Sequence, residues 1–275
     1  MTASIEMNDG RTMPAIGFGT WPLKGAAGTT AVRTAIESGY RLIDTAAKYE
    51  NEDAVGRAIA ESGVPRADLF VTTKLRGDEQ GYDSAIRACE SSLERLGLDY
   101  VDLYLIHWPL PRVNAYVASW RALLALQERG LVRSVGVSNF TAAHLDRIVA
   151  ETGVTPAVNQ IELHPFFPQA EQRAYDTEHG IVTQSWSPLG RGSDLLESRV
   201  ITEIAEAHGA TAGQVVLAWH LAIGAAPIPK SADPERMRAN LAAAELTLTP
   251  ADLEAIAGLD DGRRLGGDPD SHEEF

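Results

Sequence analysis

The chain has 275 residues, enough for one α/β barrel of about 250 residues. Its net charge of −14 sets a field that opposes nucleic acid and anionic membranes, and no apolar run approaches the ~20 residues of a membrane span. The single cysteine, Cys89, excludes an intramolecular disulfide and fits a reducing compartment. The N-terminal MTASIEMNDGRT lacks the basic and apolar regions of a secretory signal. A cytoplasmic monomer is expected, with a small molecule as its partner.

Residues 4 to 16 read as a hairpin turning at Asn8-Asp9-Gly10, since Asp-Gly supplies the positive φ angles of a tight turn. Ile16 to Thr20 is short and apolar and leads into a loop, Trp21 to Gly28. Thr30 is placed to cap a helix carrying Val32, Ala35 and Ile36, closed by Gly39. A strand over 40–44 follows, then a helix from about 51 to 62. The strand Leu69 to Lys74 precedes a helix near 82–96, in which Cys89 reads as a small core residue. The strand Val101 to His107 is ended by Trp108-Pro109. Helices near 116–129, 141–151 and 169–179 precede strands at Val132 to Val137, Ala157 to Ile161 and Ile181 to Trp186. Two helices, near 199–208 and over Gly213 to Leu221, precede Ala226 to Ile228. Further helices start after Asp233-Pro234 and Thr249-Pro250, where proline suits the first helical position. From Gly258 the tail is Gly/Asp-rich and irregular.

Strands alternate with helices and are nearly continuous apolar runs, the mark of a parallel sheet buried on both faces. Eight strand–helix units follow the hairpin, the number that a (β/α)8 TIM barrel requires; an open doubly wound sheet is the alternative. With no repeat or linker in view, one domain over 1–275 is expected, with residues 1–16 capping the bottom of the barrel and 258–275 near its mouth.

In such a barrel the active site lies at the C-terminal ends of the strands. Those ends deliver Asp44, with Tyr49 just beyond, then Lys74, His107, Ser138-Asn139, Gln160, Trp186 and Lys230-Ser231. Singly, each has a structural explanation: a capping Asp, a snorkelling Lys, a packed His. Together on one rim they form a shared polar site, because buried polar groups must find partners. Asp, Tyr, Lys and His point to proton transfer. An ammonium beside a phenol lowers its pKa, Asp44 keeps Lys74 charged, and Tyr49 then protonates a carbonyl oxygen that a His107 N–H orients. No Ser–His–Asp arrangement is present, and no metal is expected, since His107 and His164 are not spaced as a ligand pair.

A phenol is only an acid, so reduction needs a hydride source. Barrels often hold phosphate in the loops after the seventh and eighth strands. Here the first of these, Ser187 to Ser193, has glycines for close backbone approach. The second offers Lys230 and Ser231, then Arg236 and Asn240, a set that suits the 2′-phosphate of NADP(H). Trp186 offers a flat face for a nicotinamide. Gly17-Phe18-Gly19 is not a dinucleotide fingerprint, lacking the third glycine and the immediate helix.

These residues resemble the aldo-keto reductase family. Three blocks carry the likeness: Gly39-Tyr40-Arg41-Leu42-Ile43-Asp44-Thr45-Ala46 through Gly56, Leu96 through Pro109, and Lys230-Ser231 followed by Arg236 and Asn240. The resemblance implies a (β/α)8 barrel, NADP(H), and the catalytic tetrad Asp44, Tyr49, Lys74 and His107. It implies that Ser138, Asn139 and Gln160 hold the nicotinamide carboxamide and that Lys230, Ser231, Arg236 and Asn240 bind the adenosine phosphate end. Gly19, Thr20, Asp44, Trp186, Ser187, Leu189 and Gly190 complete the expected cofactor site. Trp186 stands where many members carry tyrosine, and in this the chain looks most like microbial 2,5-diketogluconate reductase-type members; Leu42 stands where histidine is frequent. Trp21, Tyr49, His107 and Trp108 would frame a small, apolar-walled pocket suited to small aldehydes, diketones or keto-sugars. NADPH-dependent carbonyl reduction is therefore the expected function. The alternatives are an NADP(H) sensor with little turnover and a metal-dependent hydrolase.

Overall fold

The computed structural model describes residues 3–274; Met1, Thr2 and Phe275, the ends of the expected cap and tail, lie outside the described residues. Two antiparallel strands, β1 (Ser4–Glu6) and β2 (Thr12–Pro14), pair Ile5 with Met13. They turn through Gly10, whose φ of +79° is the left-handed geometry that Asp-Gly favours. Eight parallel strands follow in chain order: β3 (Gly17–Gly19), β4 (Leu42–Asp44), β5 (Phe70–Leu75), β6 (Val101–Ile106), β7 (Val132–Ser138), β8 (Val158–Glu162), β9 (Val182–Trp186) and β10 (Ala226–Pro227). Ladder pairing runs from β3 to β10, and the Gly19 amide then donates to the Pro229 carbonyl at 2.9 Å, bringing the end of the sheet round to its start. The helices between successive strands are α1 (Gly25–Glu37), α2 (Glu52–Glu61), α3 (Tyr82–Leu96), α4 (Tyr116–Glu128), α5 (Ala142–Thr152) and α6 (Ala170–Glu178). Helices α7 (Arg199–His208) and α8 (Ala212–Ala222) both precede β10, and α9 (Pro234–Ala242) and α10 (Pro250–Ala257) follow it. The fold is a (β/α)8 barrel with an N-terminal hairpin, not an open sheet.

Strand side chains alternate with a period of two, which divides the apolar residues into two populations. Leu42, Phe70, Leu103, Leu105, Val158, Val182, Ala226 and Ile228 pack on one another inside the barrel. Their neighbours Ile43, Val71, Tyr104 and Ile106 pack outward against the helices. Met7 and Met13 belong to the inner cluster. The hairpin thus closes the end at which the strands begin, fixed by Asn8 Nδ2 donating to Pro156 O at 2.8 Å and Ser134 Oγ to Asp9 Oδ2 at 2.6 Å. Gly17 leaves room for two inner side chains: a Cβ there would lie 2.4 Å from Leu42 Cδ2 and 2.5 Å from Ile228 Cδ1, so both would have to move.

One helix boundary departs from expectation. Helix α1 begins at Gly25, with Lys24 at its N-cap, so Thr30 lies inside the helix and does not cap it. Capping preference is worth about 1 kcal/mol. The buried face of Gly28, Ala31, Val32, Ala35 and Ile36 outweighs it and carries the helix back by more than a turn. No helix among the described residues is long and apolar enough to cross a membrane.

Candidate active site

The same alternation builds the rim. Asp44 lies two residues beyond the inward Leu42, and Lys74 four beyond Phe70. His107 and Lys230 each lie two beyond an inward residue, Leu105 and Ile228. Gln160 lies two beyond Val158, and Trp186 four beyond Val182. The inward rows start on apolar residues, pass through buried Thr72 and Gln184 on two of the strands, and end at the rim, so these groups converge. Tyr49 reaches them from a single 3-10 turn, Ala47–Tyr49, after β4. The loop is held by buried Asn51, which donates to Leu23 O at 2.8 Å and Thr20 O at 3.1 Å and accepts from Thr45 Oγ1 at 2.7 Å.

Fully buried Lys74 Nζ donates to Asp44 Oδ1 at 2.6 Å, Thr45 O at 3.0 Å and Tyr49 Oη at 3.3 Å. Burial works against this ammonium, but Asp44 and Tyr49 outweigh it and raise the pKa of Lys74 above its ordinary value, so the lysine stays charged. For Tyr49 the direction differs from the sequence expectation. Burial raises its pKa, the Lys74 charge lowers it, Asp44 raises it again, and the net shift is upward. Burial is the largest of these effects and favours the neutral phenol, and Asp44 offsets part of the pull of the Lys74 charge. The His107 ring meets the Tyr49 ring edge-on, with centroids 5.8 Å apart.

Asn139 takes a left-handed φ of +62°, which asparagine tolerates. Its amide is committed within the protein: Nδ2 donates to His107 O at 3.0 Å and Ser138 Oγ at 3.1 Å, and Oδ1 accepts from Trp186 Nε1 at 2.8 Å. Ser138 Oγ donates to the Gln160 carbonyl at 2.8 Å. Gln160 Nε2 donates to Asp44 Oδ2 at 2.8 Å and Gln184 Oε1 at 2.9 Å. The Gln160 side-chain oxygen, Oε1, is left for the cavity. Of these three residues, Asn139 and Gln160 line the cavity and Ser138 lies behind them.

The cavity measures about 690 Å³, within the ~300–1,000 Å³ of small-molecule sites. It is lined by Asp44, Tyr49, His107 and Trp108, by Gln160 and Trp186, and by Gly19, Thr20, Ser187, Leu189 and Lys230. Exposed Trp21 forms a lip, with the Arg191 guanidinium 4.5 Å from its ring centre. Lys74 lies beneath the floor, and Gly190, Ser231, Arg236 and Asn240 lie outside the lining. Arg236 sits in the first turn of α9, whose free amides at Glu235 and Arg236 are already taken by the Asp233 carboxylate. The donor set fits a phosphate-bearing dinucleotide: glycines, a cation, a flat indole and an acid–base cluster share one lining.

Several lining residues escaped the sequence reading. Arg191 and Gly192 belong to a loop already singled out, and Ile228 is signalled by its strand parity. Gly266, Gly267 and His272 come from the tail. Glu162 tethers that tail by accepting from the backbone amides of Leu265 and Gly266, the latter at 2.8 Å. The His272 ring lies against Trp108 with centroids 4.0 Å apart and the planes tilted by 40°.

The loop after β9 is braced from behind by His220 on α8. A carbonyl only accepts, so His220 Nε2 carries the proton given to Pro188 O at 3.1 Å, and Nδ1 accepts from Ser185 Oγ at 3.0 Å. Complete burial drives the pKa of His220 from 6.5 down to about 3. Between these values the unfolded chain binds a proton that the fold refuses, so stability is lost as pH falls below 6.5, by up to about 1.4 kcal/mol per pH unit. Buried Asp176, raised by burial from 3.8 to about 6, acts oppositely and cancels in a comparison of variants. In denaturant titrations from pH 7 to 4, His220→Gln should gain on the parent chain as pH falls; parallel curves would rule this out.

The Aldo/keto reductase family model matches residues 15–261. The chain is 52% identical over 272 residues to 2,5-diketo-D-gluconic acid reductase B of Corynebacterium sp. (strain SHS752001), covering 99% of this chain and 98% of that protein. It is 46% identical to methylglyoxal reductase DkgA of Salmonella typhimurium (strain LT2), covering 97% and 96%. The crystal structure of a Gox0644 mutant in complex with NADPH superposes with a TM-score of 0.95 at 44% identity, covering 99% of each chain. A family model over most of the chain and full-length relatives at this identity place the chain in the aldo/keto reductase family, oxidoreductases acting on carbonyl groups.

Proposed function

We propose that this chain reduces a small aldehyde, diketone or keto-sugar to the alcohol at the expense of NADPH, with Tyr49 as the proton donor. The observation that carries the reading is Tyr49 at the cavity wall with the Lys74 ammonium 3.3 Å from its oxygen. When bound, NADPH supplies the hydride for the carbonyl carbon. The chain's own work is to place the carbonyl and manage the proton. His107 and Tyr49 face the carbonyl oxygen, and as negative charge gathers there the phenol gives up its proton to an oxygen far more basic than itself. Lys74 then stabilises the phenolate, and Asp44 holds Lys74 in place. Gln160, with its unpaired side-chain oxygen, would take a carboxamide N–H, and Trp186 would stack on the nicotinamide. The Trp21 and Trp108 walls favour a small substrate, which agrees with the diketone and methylglyoxal named for the two relatives.

The phosphate end is assigned to Lys230, with Ser231, Arg236 and Asn240 beside it. Replacing Lys230 and Arg236 together by alanine should weaken NADPH binding roughly a hundredfold or more, since hydrogen bonds to charged groups are worth about 1.5–3 kcal/mol each. NADH, which lacks the 2′-phosphate, should be affected far less. Equal losses for both cofactors by fluorescence titration would refute the assignment. The whole reading is tested by following NADPH and NADH oxidation against a panel of small aldehydes, diketones and keto-sugars. Tight NADPH binding without consumption across the panel would sink it in favour of a sensor.

A further inference from the structure

We propose that Glu52 is a positioning residue for Tyr49: its buried carboxylate ties the segment that follows the phenol to Thr73, the residue before Lys74, and so fixes Tyr49 against the ammonium. The inference rests on the reading that Tyr49 is the proton donor.

Tyr49 sits on a segment that needs support from outside. Its 3-10 turn ends at Glu50, whose φ of +53° is left-handed, a conformation that is costly for a non-glycine residue and persists where the surroundings enforce it. The Lys24–Glu50 pair is exposed on both sides and holds little. Asn51 ties the segment to Thr20, Leu23 and Thr45, all of which precede Tyr49 in the chain. Glu52 adds a side-chain link to β5, the strand that carries Lys74. Its carboxylate is 1% exposed. One oxygen accepts from Thr73 Oγ1, and the other from Arg95 Nε at 2.7 Å. Lys74 points into the barrel, so the period of two puts Thr73 on the outer face of the same strand. The carboxylate therefore grips β5 from behind, one residue from the ammonium.

The seat of this carboxylate is also built. Gly56 lies one turn beyond Glu52 on the same face of α2. A Cβ there would lie 2.1 Å from the backbone oxygen of Leu96 at the end of α3. That close approach of the two helices brings Arg95, in the last turn of α3, to Glu52. A buried ion pair is a weak source of stability, and apolar residues of similar volume frequently do as well. What it supplies is direction. Bonds from both oxygens fix where α2 starts, just after Tyr49, and the 3.3 Å between Lys74 Nζ and Tyr49 Oη is thereby set from both backbones.

The test uses the full chain. Glu52→Leu removes the tie and leaves Arg95, already 43% exposed, to water. Misplacing a reacting group by about 1 Å can cost on the order of 10²-fold, so a partial release should lower kcat for a good carbonyl substrate by about tenfold, with NADPH affinity unchanged. Thr73→Val should give the same loss, and Thr73→Ser, which keeps the hydroxyl, should return most of it. Glu52→Leu joined to Thr73→Val should cost no more than either alone, because both cut one tie. A residue that acts through the phenol has nothing to act on without it, so Glu52→Leu should leave the residual single-turnover rate of Tyr49→Phe unchanged. Unaltered kcat in Glu52→Leu, or in Thr73→Val should Glu52→Leu not fold, would overturn the proposal. So would a loss matched by a loss of NADPH affinity, an equal loss in Thr73→Ser, losses that sum in the double variant, or a further drop on top of Tyr49→Phe. Should Tyr49→Phe keep full turnover, the parent reading itself fails; should Tyr49→Phe be inactive and Glu52→Leu fully active, only this inference falls.

Discussion

Tyr49→Phe should lower kcat for carbonyl reduction by about 10²–10⁴-fold, the range that a positioned general acid supplies, while NADPH still binds. The substitution removes one oxygen and one accepted hydrogen bond, the 3.3 Å contact from Lys74. Lys74 keeps Asp44 and the Thr45 carbonyl, so the fold has no reason to fail. The direction of the phenol's shift adds a pH signature. Because burial holds Tyr49 above its ordinary value of 10.0, the acid form persists through neutral and mildly alkaline solution. The reduction rate of the parent chain should not fall through loss of this proton below about pH 10. Stopped-flow measurement of the hydride step across pH 6 to 10 checks both parts, and full turnover in Tyr49→Phe would remove the phenol from the mechanism.

Lys74→Met is expected to cost stability as well as turnover. The ammonium is completely buried and Asp44 nearly so. Removing one member of a buried pair costs about 3–5 kcal/mol, because the surviving charge stays desolvated. Among the described residues the Asp44 carboxylate would keep the Gln160 amide at 2.8 Å. For a chain of this size the melting temperature should drop on the order of 10 °C. Turnover should fall too, since the phenolate left after proton transfer loses the Lys74 ammonium. The double variant Asp44→Asn with Lys74→Met separates the effects: with no carboxylate stranded, most of the stability should return while turnover stays low. Recovery of turnover together with stability would show that Lys74 acts through the fold alone.

The barrel was legible because its signals are local and repeated: apolar strands, capped helices and turn residues recur in a fixed order. The rim was legible for a related reason. Strand ends mark the active face of such a barrel, and the period of two carries the apolar interior at Leu42, Leu105 or Ile228 to a polar group at Asp44, His107 or Lys230. What was hidden depends on sums or on distance. The direction of the Tyr49 shift is a balance of burial, Lys74 and Asp44 that no spacing reveals. The start of α1 is set by packing that overrides its capping signal. The tail has no periodicity at all, so nothing in the order of residues tells that Glu274 meets Gly77 and His107 or that Gly266 and Gly267 line the cavity.

The closure of the barrel has a last consequence. Strand β10 is only two residues long, and one of them is a proline that cannot donate to a ladder. Between it and β3, the Gly19–Pro229 bond is the backbone hydrogen bond found among the described residues. That seam is where the cylinder is least stitched and where amide protons should exchange with solvent soonest. Gly19, Thr20 and Lys230, three residues of the cavity wall, sit on it from both sides. A molecule bridging them completes what the polypeptide leaves nearly open, so occupancy and cohesion of the barrel are thermodynamically linked.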